Sequence, residues 1–167
     1  YTAINLIEEK LVKNVLVLDL DVHQGDGTID ICQNYPSIYT CSVHSKESFP
    51  FDKKKGWLDI GLPAEIGDFE YLKTIEKTLQ NIQDKITPDI VIYDAGVDVH
   101  VNDKLGNFKL STKGINKRDR IVLDHFLNHK IPIATVIGGG YSKNISELAE
   151  RHSIIFENAI KQSNFIY

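Results

Sequence analysis

Three short segments carry residues whose types and spacing could do chemistry together. The first reads Asp19-Leu20-Asp21-Val22-His23-Gln24-Gly25-Asp26-Gly27 and directly follows an apolar run. Side chains alternate along an extended strand, so Asp19, Asp21 and His23 point the same way if that geometry continues. Two carboxylates and an imidazole converging at a strand end need charge compensation. A divalent cation supplies it, and Asp and His are both zinc ligands. Gly25 and Gly27 permit a tight turn after them. The competing reading is a surface loop with acidic residues, but charges placed straight after a buried run are seldom incidental.

The second segment is Asp94-Ala95-Gly96-Val97-Asp98-Val99-His100. Asp98 can reach the same metal, with Gly96 giving the backbone room; taken alone, Asp98 reads as a helix cap or turn residue. His100 is a weaker candidate ligand, because an exposed loop histidine is the commoner case. The third segment is Gly138-Gly139-Gly140-Tyr141. Three glycines mark backbone that approaches something closely or takes unusual dihedrals. Tyr141 can aim its hydroxyl into a site, or simply pack. By itself the glycine run also fits a phosphate-binding loop or a plain turn.

The elements around these segments place all three at strand ends. Residues 2–13 read as a helix with Ile4, Leu6, Ile7 and Leu11 as its apolar set. Residues 14–20 (NVLVLDL) form a nearly continuous apolar run, the pattern of a strand covered on both faces. Residues 37–43 are a second strand, and residues 57–62 a short edge strand. Phe69, Leu72, Ile75, Leu79, Ile82 and Ile86 recur every three or four residues, so one amphipathic helix is expected, capped by Asp68 and ended by Pro88. Residues 89–93 (DIVIY) are a strand, 111–129 a helix opened by Ser111 or Thr112, and 132–137 (PIATVI) the last strand. Ile145, Leu148, Ala149, His152, Ile155, Phe156 and Ala159 form the stripe of a closing helix, with fraying expected after about residue 161. Strands alternating with helices imply a three-layer α/β/α fold with a mostly parallel sheet. In such sheets ligands bind beyond the carboxyl ends of the strands, where the three segments lie.

Composition narrows the function classes. The chain has 167 residues and is 42% hydrophobic, enough for one globular domain with a real core. A net charge of −4 argues against a broad nucleic-acid-binding surface. The run Lys53-Lys54-Lys55 reads as a solvated turn. Cys32 and Cys41 form no CxxC pair, so neither a disulfide framework nor a thiolate zinc site is indicated, and a reduced cytoplasmic setting fits. No apolar run approaches membrane-spanning length. The chain holds no methionine and starts at Tyr1, which suggests a piece of something longer.

Taken together, DLDVHQGDG (19–27), AGVDVHVNDKLG (95–106) and GGGY (138–141) resemble, in order and spacing, the hallmarks of the histone deacetylase family. Gln24 and the stretch Gly114-Ile115-Asn116-Lys117-Arg118-Asp119 are similar to the class IV branch and its bacterial relatives. The resemblance implies an arginase/deacetylase-like fold, incomplete on its N-terminal side, with residues 1–167 as the C-terminal part of a single deacetylase catalytic domain. It implies that Asp21, His23 and Asp98 bind a catalytic zinc, for which ferrous iron could substitute. Tyr141 would hydrogen-bond the substrate carbonyl. Asp19 and Ser42, with backbone carbonyls of Asp21, His23 and Val43, would hold a structural potassium ion. Asp26 and Asp19 would orient an adjacent His-His pair that serves as general base and acid.

No His-His pair occurs in this sequence. In the family the pair precedes the DxDxH strand, so the chain alone is expected to be inactive or nearly so. An unpaired sheet edge and an exposed apolar face are expected too, with self-association or pairing with the missing half as the consequence. The implied substrate is an acylated lysine of a protein or a small acylated amine, neither nucleic acid nor membrane. An arginase-like ureohydrolase would use two metals and a third aspartate after Asp21-Val22-His23, where Gln24-Gly25 stand instead. A non-catalytic acyl-ligand-binding domain and a nucleotide-binding domain are further alternatives. The latter would need a longer glycine loop with its lysine than residues 25–28 offer.

Overall fold

A computed structural model of the chain describes residues 1–163. The elements run α1 (Thr2–Glu8), β1 (Val15–Asp19), α2 (Asp26–Cys32), β2 (Ile38–Ser45), β3 (Leu58–Leu62), α3 (Asp68–Gln83), β4 (Ile90–Asp94), α4 (Thr112–Asn128), β5 (Ile133–Val136) and α5 (Ile145–Ser163). The five strands form one sheet in the order β3-β2-β1-β4-β5, and every neighbouring pair is parallel. From β1 the chain moves outward to β2 and β3, then returns to the other side of β1 and moves outward again through β4 and β5. The order therefore reverses between β1 and β4, and a parallel sheet opens a ligand crevice beyond the strand ends at such a reversal.

Strand β1 is apolar up to its last residue, Asp19, because both of its faces are covered. Leu16 and Leu18 belong to the main core with Leu72, Ile75, Leu79 and Ile82 of α3, Ile115, Val122 and Phe126 of α4, and Ile154 and Ile155 of α5. Val15 lies in a separate cluster with Ala3 and Cys32, against which Ile4 and Ile7 of α1 and Val17 pack. Helices thus cover both faces, as alternating strands and helices demand.

Several local expectations are corrected. Helix α1 stops at Glu8, short of residue 13, because Lys10 takes a left-handed φ of 57° and the N–H groups of Lys10 and Leu11 close the turn on the Ile7 and Leu6 carbonyls. The turn expected after Gly25 is instead followed by helix α2. Asp68 does not cap α3: the N-cap is Gly67, and the Asp68 carboxylate accepts from the Ser111 N–H (2.8 Å) and hydroxyl (2.6 Å). Phe69 is 73% exposed and lies outside the core stripe of α3. Ile145, Ala149 and Phe156 of α5 are exposed as well, while Leu148, Ile155 and Ala159 meet the core as expected and Ile154 joins them. Ser111 is the cap of α4, its hydroxyl accepting from the Gly114 N–H at 3.0 Å. Fraying does not begin at 161, since α5 reaches Ser163; the rest of that expectation falls on 164–167, outside the described residues.

Among the described residues β3 and β5 are the outer strands, and Val136 and Ile137 at the end of β5 are exposed. Also among the described residues, no helix is long and apolar enough to cross a membrane.

Candidate metal centre

The β1–β4 ladder ends with the Leu20 N–H donating to the Asp94 carbonyl at 3.1 Å. Beyond that rung both chains turn away from the sheet, and their own carboxylates organise the turns. Asp19 Oδ1 accepts from the Asp21 N–H at 3.0 Å, and Asp21 Oδ1 accepts from the His23 N–H at 2.7 Å. Asp98 arrives from the end of β4 and is fully buried. Its Oδ1 accepts from the Val22 N–H at 2.9 Å, which locks the two turns together.

The result is convergence of the three residues singled out in the sequence. His23 Nδ1 lies 3.0 Å from Asp21 Oδ1 and 3.1 Å from Asp98 Oδ2. One donor atom from each of Asp21, His23 and Asp98 falls within 4.8 Å of the others. Burial and mutual repulsion shift the site's titratable groups. Burial, with Asp94 beside it, holds the Asp19 carboxyl well above the usual range. Burial and then Asp21 push Asp94 up to about 6. Burial raises Asp98 to about 7, against the opposing hydrogen bond from His23. His23 itself is pushed up to about 10 by its hydrogen bonds to Asp21 and Asp98. Carboxylates crowded at low exposure favour protonation or a nearby cation. Two carboxylates and an imidazole nitrogen around one point suit a divalent metal with hard or borderline preferences.

The glycine loop closes over this cluster. Gly139 has φ 41°, and a Cβ there would run into the carboxylates of Asp21 and Asp98. Gly96 has no room for a Cβ because the Asp21 Cα would lie 2.7 Å away. Tyr141 follows at the rim, 47% exposed, with its ring edge-on to His23 at a centroid distance of 6.0 Å. Burial, and after it Asp21 and Asp98, raise its hydroxyl above the ordinary tyrosine value. An open depression of about 300 Å³ lies against Gly138, Gly139, Gly140, Tyr141 and His152.

The remaining sequence candidates fall into place more loosely. Asp19 and Ser42 are direct neighbours across β1 and β2, and the Ser42 hydroxyl is 3.0 Å from His44 Nδ1. Val43 is buried in the core. Asp26 opens α2 and is not in the three-residue group. His100 is turned to other work: Nδ1 accepts from the Asn102 N–H at 3.1 Å, so Nε2 carries the proton and donates to the Thr112 hydroxyl at 3.1 Å. The lysine run is not simply solvated, since Lys53 Nζ donates to the Pro50 carbonyl at 2.6 Å.

Four residues around the cluster escaped the sequence reading as site residues. Asp94 adds a further carboxylate beside Asp19. Asp103 accepts from the Tyr141 N–H at 2.8 Å. Arg118 is buried and reaches the carbonyls of Ala95 and Gly96. Buried Gln24 ties down the lysine loop through both Lys54 backbone groups and Asp59. Nothing in local periodicity marks these roles, although Gln24, Asp103 and Arg118 stand inside the motifs that carry the resemblance.

Residues 2–155 match the histone deacetylase domain. The chain belongs to the histone deacetylase family. Its relatives include an uncharacterised protein of Picosynechococcus sp., 44% identical over 149 residues, which span 89% of this chain and 50% of that protein. Another is histone deacetylase 2 of Arabidopsis thaliana, 31% identical, with 80% of this chain and 35% of that protein covered. Among solved structures, the histone deacetylase homologue of Aquifex aeolicus superposes with a TM-score of 0.77 at 27% identity, covering 91% of this chain and 43% of that one. An acetylpolyamine aminohydrolase of Burkholderia pseudomallei gives a TM-score of 0.78 at 19% identity, a likeness of fold alone. The chain thus spans half or less of the length of these relatives. As a family member it has the five-stranded parallel sheet and flanking helices of deacetylase structures, with a candidate Asp-His-Asp metal site at the crevice.

Proposed function

We propose that this chain supplies the metal-binding part of a single deacetylase catalytic domain that removes acetyl or longer acyl groups from lysine side chains. The observation that carries the reading is the meeting of Asp21, His23 and Asp98 within 4.8 Å at the ends of β1 and β4. These three would hold zinc, or ferrous iron in its place. A metal bound there supplies Lewis-acid polarisation of an amide carbonyl and a lowered pKa for a bound water.

The chain's own residues do the rest. Asp98 stays anchored by the Val22 N–H and so presents its other oxygen to the centre. Tyr141, at the rim beside His23, donates its hydroxyl to the substrate carbonyl oxygen as negative charge builds there. Asp19 and Ser42, with the carbonyls of Asp21, His23 and Val43, would hold a structural potassium ion. Hydrolysis also needs a general base and acid, typically worth about 10²–10⁴-fold in rate. The sequence has no adjacent histidine pair for that work, so residues 1–167 alone are proposed to be nearly inactive. The whole protein would place the pair near Asp19 and Asp26. The two free, buried cysteines fit a reducing, cytoplasmic setting.

The test is deacylation by the whole protein on acetyl-lysine and long-acyl-lysine peptides, with an acetylated polyamine beside them. Turnover that requires metal and disappears in Asp98→Ala supports the deacylase. Turnover on the polyamine alone moves the assignment to a polyamine amidohydrolase. Metal binding without turnover on any of the three would favour a non-catalytic acyl-binding role.

A further inference from the structure

The β1–β4 ladder stops at Leu20 and Asp94, and the two strands splay apart to deliver Asp21 and Asp98. Splaying leaves carbonyls that a regular ladder would have paired, inside a site too buried for free solvation. Arg118, on α4 and with no exposed surface, fills that place. Its Nη1 donates to the Gly96 carbonyl at 2.7 Å and to the Leu20 carbonyl at 3.3 Å. Its Nη2 donates to the Ala95 carbonyl at 3.1 Å. Leu20 directly precedes Asp21, and Gly96 stands two residues before Asp98. The planar fork of the guanidinium serves both strand ends at once in a fixed geometry.

The fork is itself held. Arg118 Nε donates to Asp119 Oδ1 at 2.8 Å, and the same oxygen accepts from the Tyr93 hydroxyl at 2.6 Å. Tyr93 stands on β4, one residue before Asp94, so the carboxylate ties the guanidinium back to the strand it supports.

We propose that Arg118, held by Asp119, is a positioning residue that sets the separation of Asp21 and Asp98 by continuing the β1–β4 ladder past its last rung. The inference rests on the metal-centre reading above. Residues that orient metal ligands without touching the metal typically change affinity by about 10–100-fold when replaced.

The experiment measures cobalt(II) binding to the whole protein, by competition with a chelating dye and by the visible spectrum of the bound ion. Arg118→Met should weaken binding by about 10–100-fold and shift the spectrum. Should that variant not fold, Arg118→Lys carries the comparison, since it keeps the charge but loses the fork. Phe126→Leu, a core change on the same helix, should lower the melting temperature while affinity and spectrum stay as in the wild type. Arg118 variants that lose melting temperature yet bind cobalt with the wild-type constant and spectrum would overturn the inference. If Asp98→Ala also binds cobalt as tightly as the wild type, the metal centre itself falls, and the inference with it.

Discussion

The Asp103 carboxylate accepts a hydrogen bond from the Tyr141 backbone N–H at 2.8 Å through Oδ2, while Oδ1 accepts from Leu105 and Gly106 at 2.9 and 3.0 Å. One side chain therefore joins the loop after Asp98 to the loop that carries the proposed oxyanion donor. Asp103→Ala frees Tyr141 without touching the metal ligands. The whole protein should then lose kcat by roughly 10–100-fold, since small misplacements of a reacting group can cost that much. Dye competition should show metal affinity nearly unchanged; equal loss of both would place Asp103 in the ligand scaffold instead.

Gly139→Ala should act on the metal rather than on the tyrosine. The new Cβ would press on the carboxylates of Asp21 and Asp98, and φ 41° is disfavoured for a side-chain-bearing residue. Metal content after purification should fall to a small fraction of the wild type, as elemental analysis of the two proteins would show. A variant with full metal content would mean the loop can shift to make room.

Metal binding should stabilise the fold, because the unfolded chain has no preformed site. At a metal concentration about 100 times the dissociation constant, the gain is about 2.7 kcal/mol. Thermal melts with and without zinc should show that gain in the wild type and lose it in Asp98→Ala. In the metal-free state the same substitution leaves the Val22 N–H without its acceptor, a buried loss on the order of 1–3 kcal/mol.

At high pH, Tyr71 should become a liability. Its ring is fully buried, and burial pushes its hydroxyl up to about 12. The folded state holds this proton more tightly than the unfolded chain, whose tyrosines titrate near 10. The contribution is therefore complete below about pH 10 and is lost as pH rises toward about 12, by roughly 2–3 kcal/mol. Tyr71→Phe should flatten the alkaline arm of a urea-stability profile. An unchanged slope between pH 10 and 12 would assign the alkaline loss to other groups.

Much of the architecture was legible from local pattern. The apolar run before Asp19 reads as a doubly covered strand because both faces of β1 are packed. Ser111 or Thr112 reads as a cap because either hydroxyl can meet free helix N–H groups, and the structure gives the place to Ser111. Asp68 looked equivalent and is not: it reaches across to Ser111, a residue 43 positions away that no local window contains. Helix α2 was missed because Asp26-Gly27-Thr28 reads as a turn, and the apolar contacts that fold it, Ile29 and Cys32, come from packing.

The sequence by itself determined which side chains could meet a metal. Asp21 and His23 share a strand exit, and Asp98 and Tyr141 stand in motifs whose order and spacing resemble one family. Those facts depend on residue type and short-range periodicity, which survive without a folded context. Only the tertiary structure decided that Asp98 lies 3.1 Å from His23 across 75 residues of chain, that His100 is spent on Thr112, and that a buried Arg118 spans the splayed strand ends. Such pairings depend on how strands are ordered in the sheet and where helices dock, and parallel neighbours are always distant in sequence.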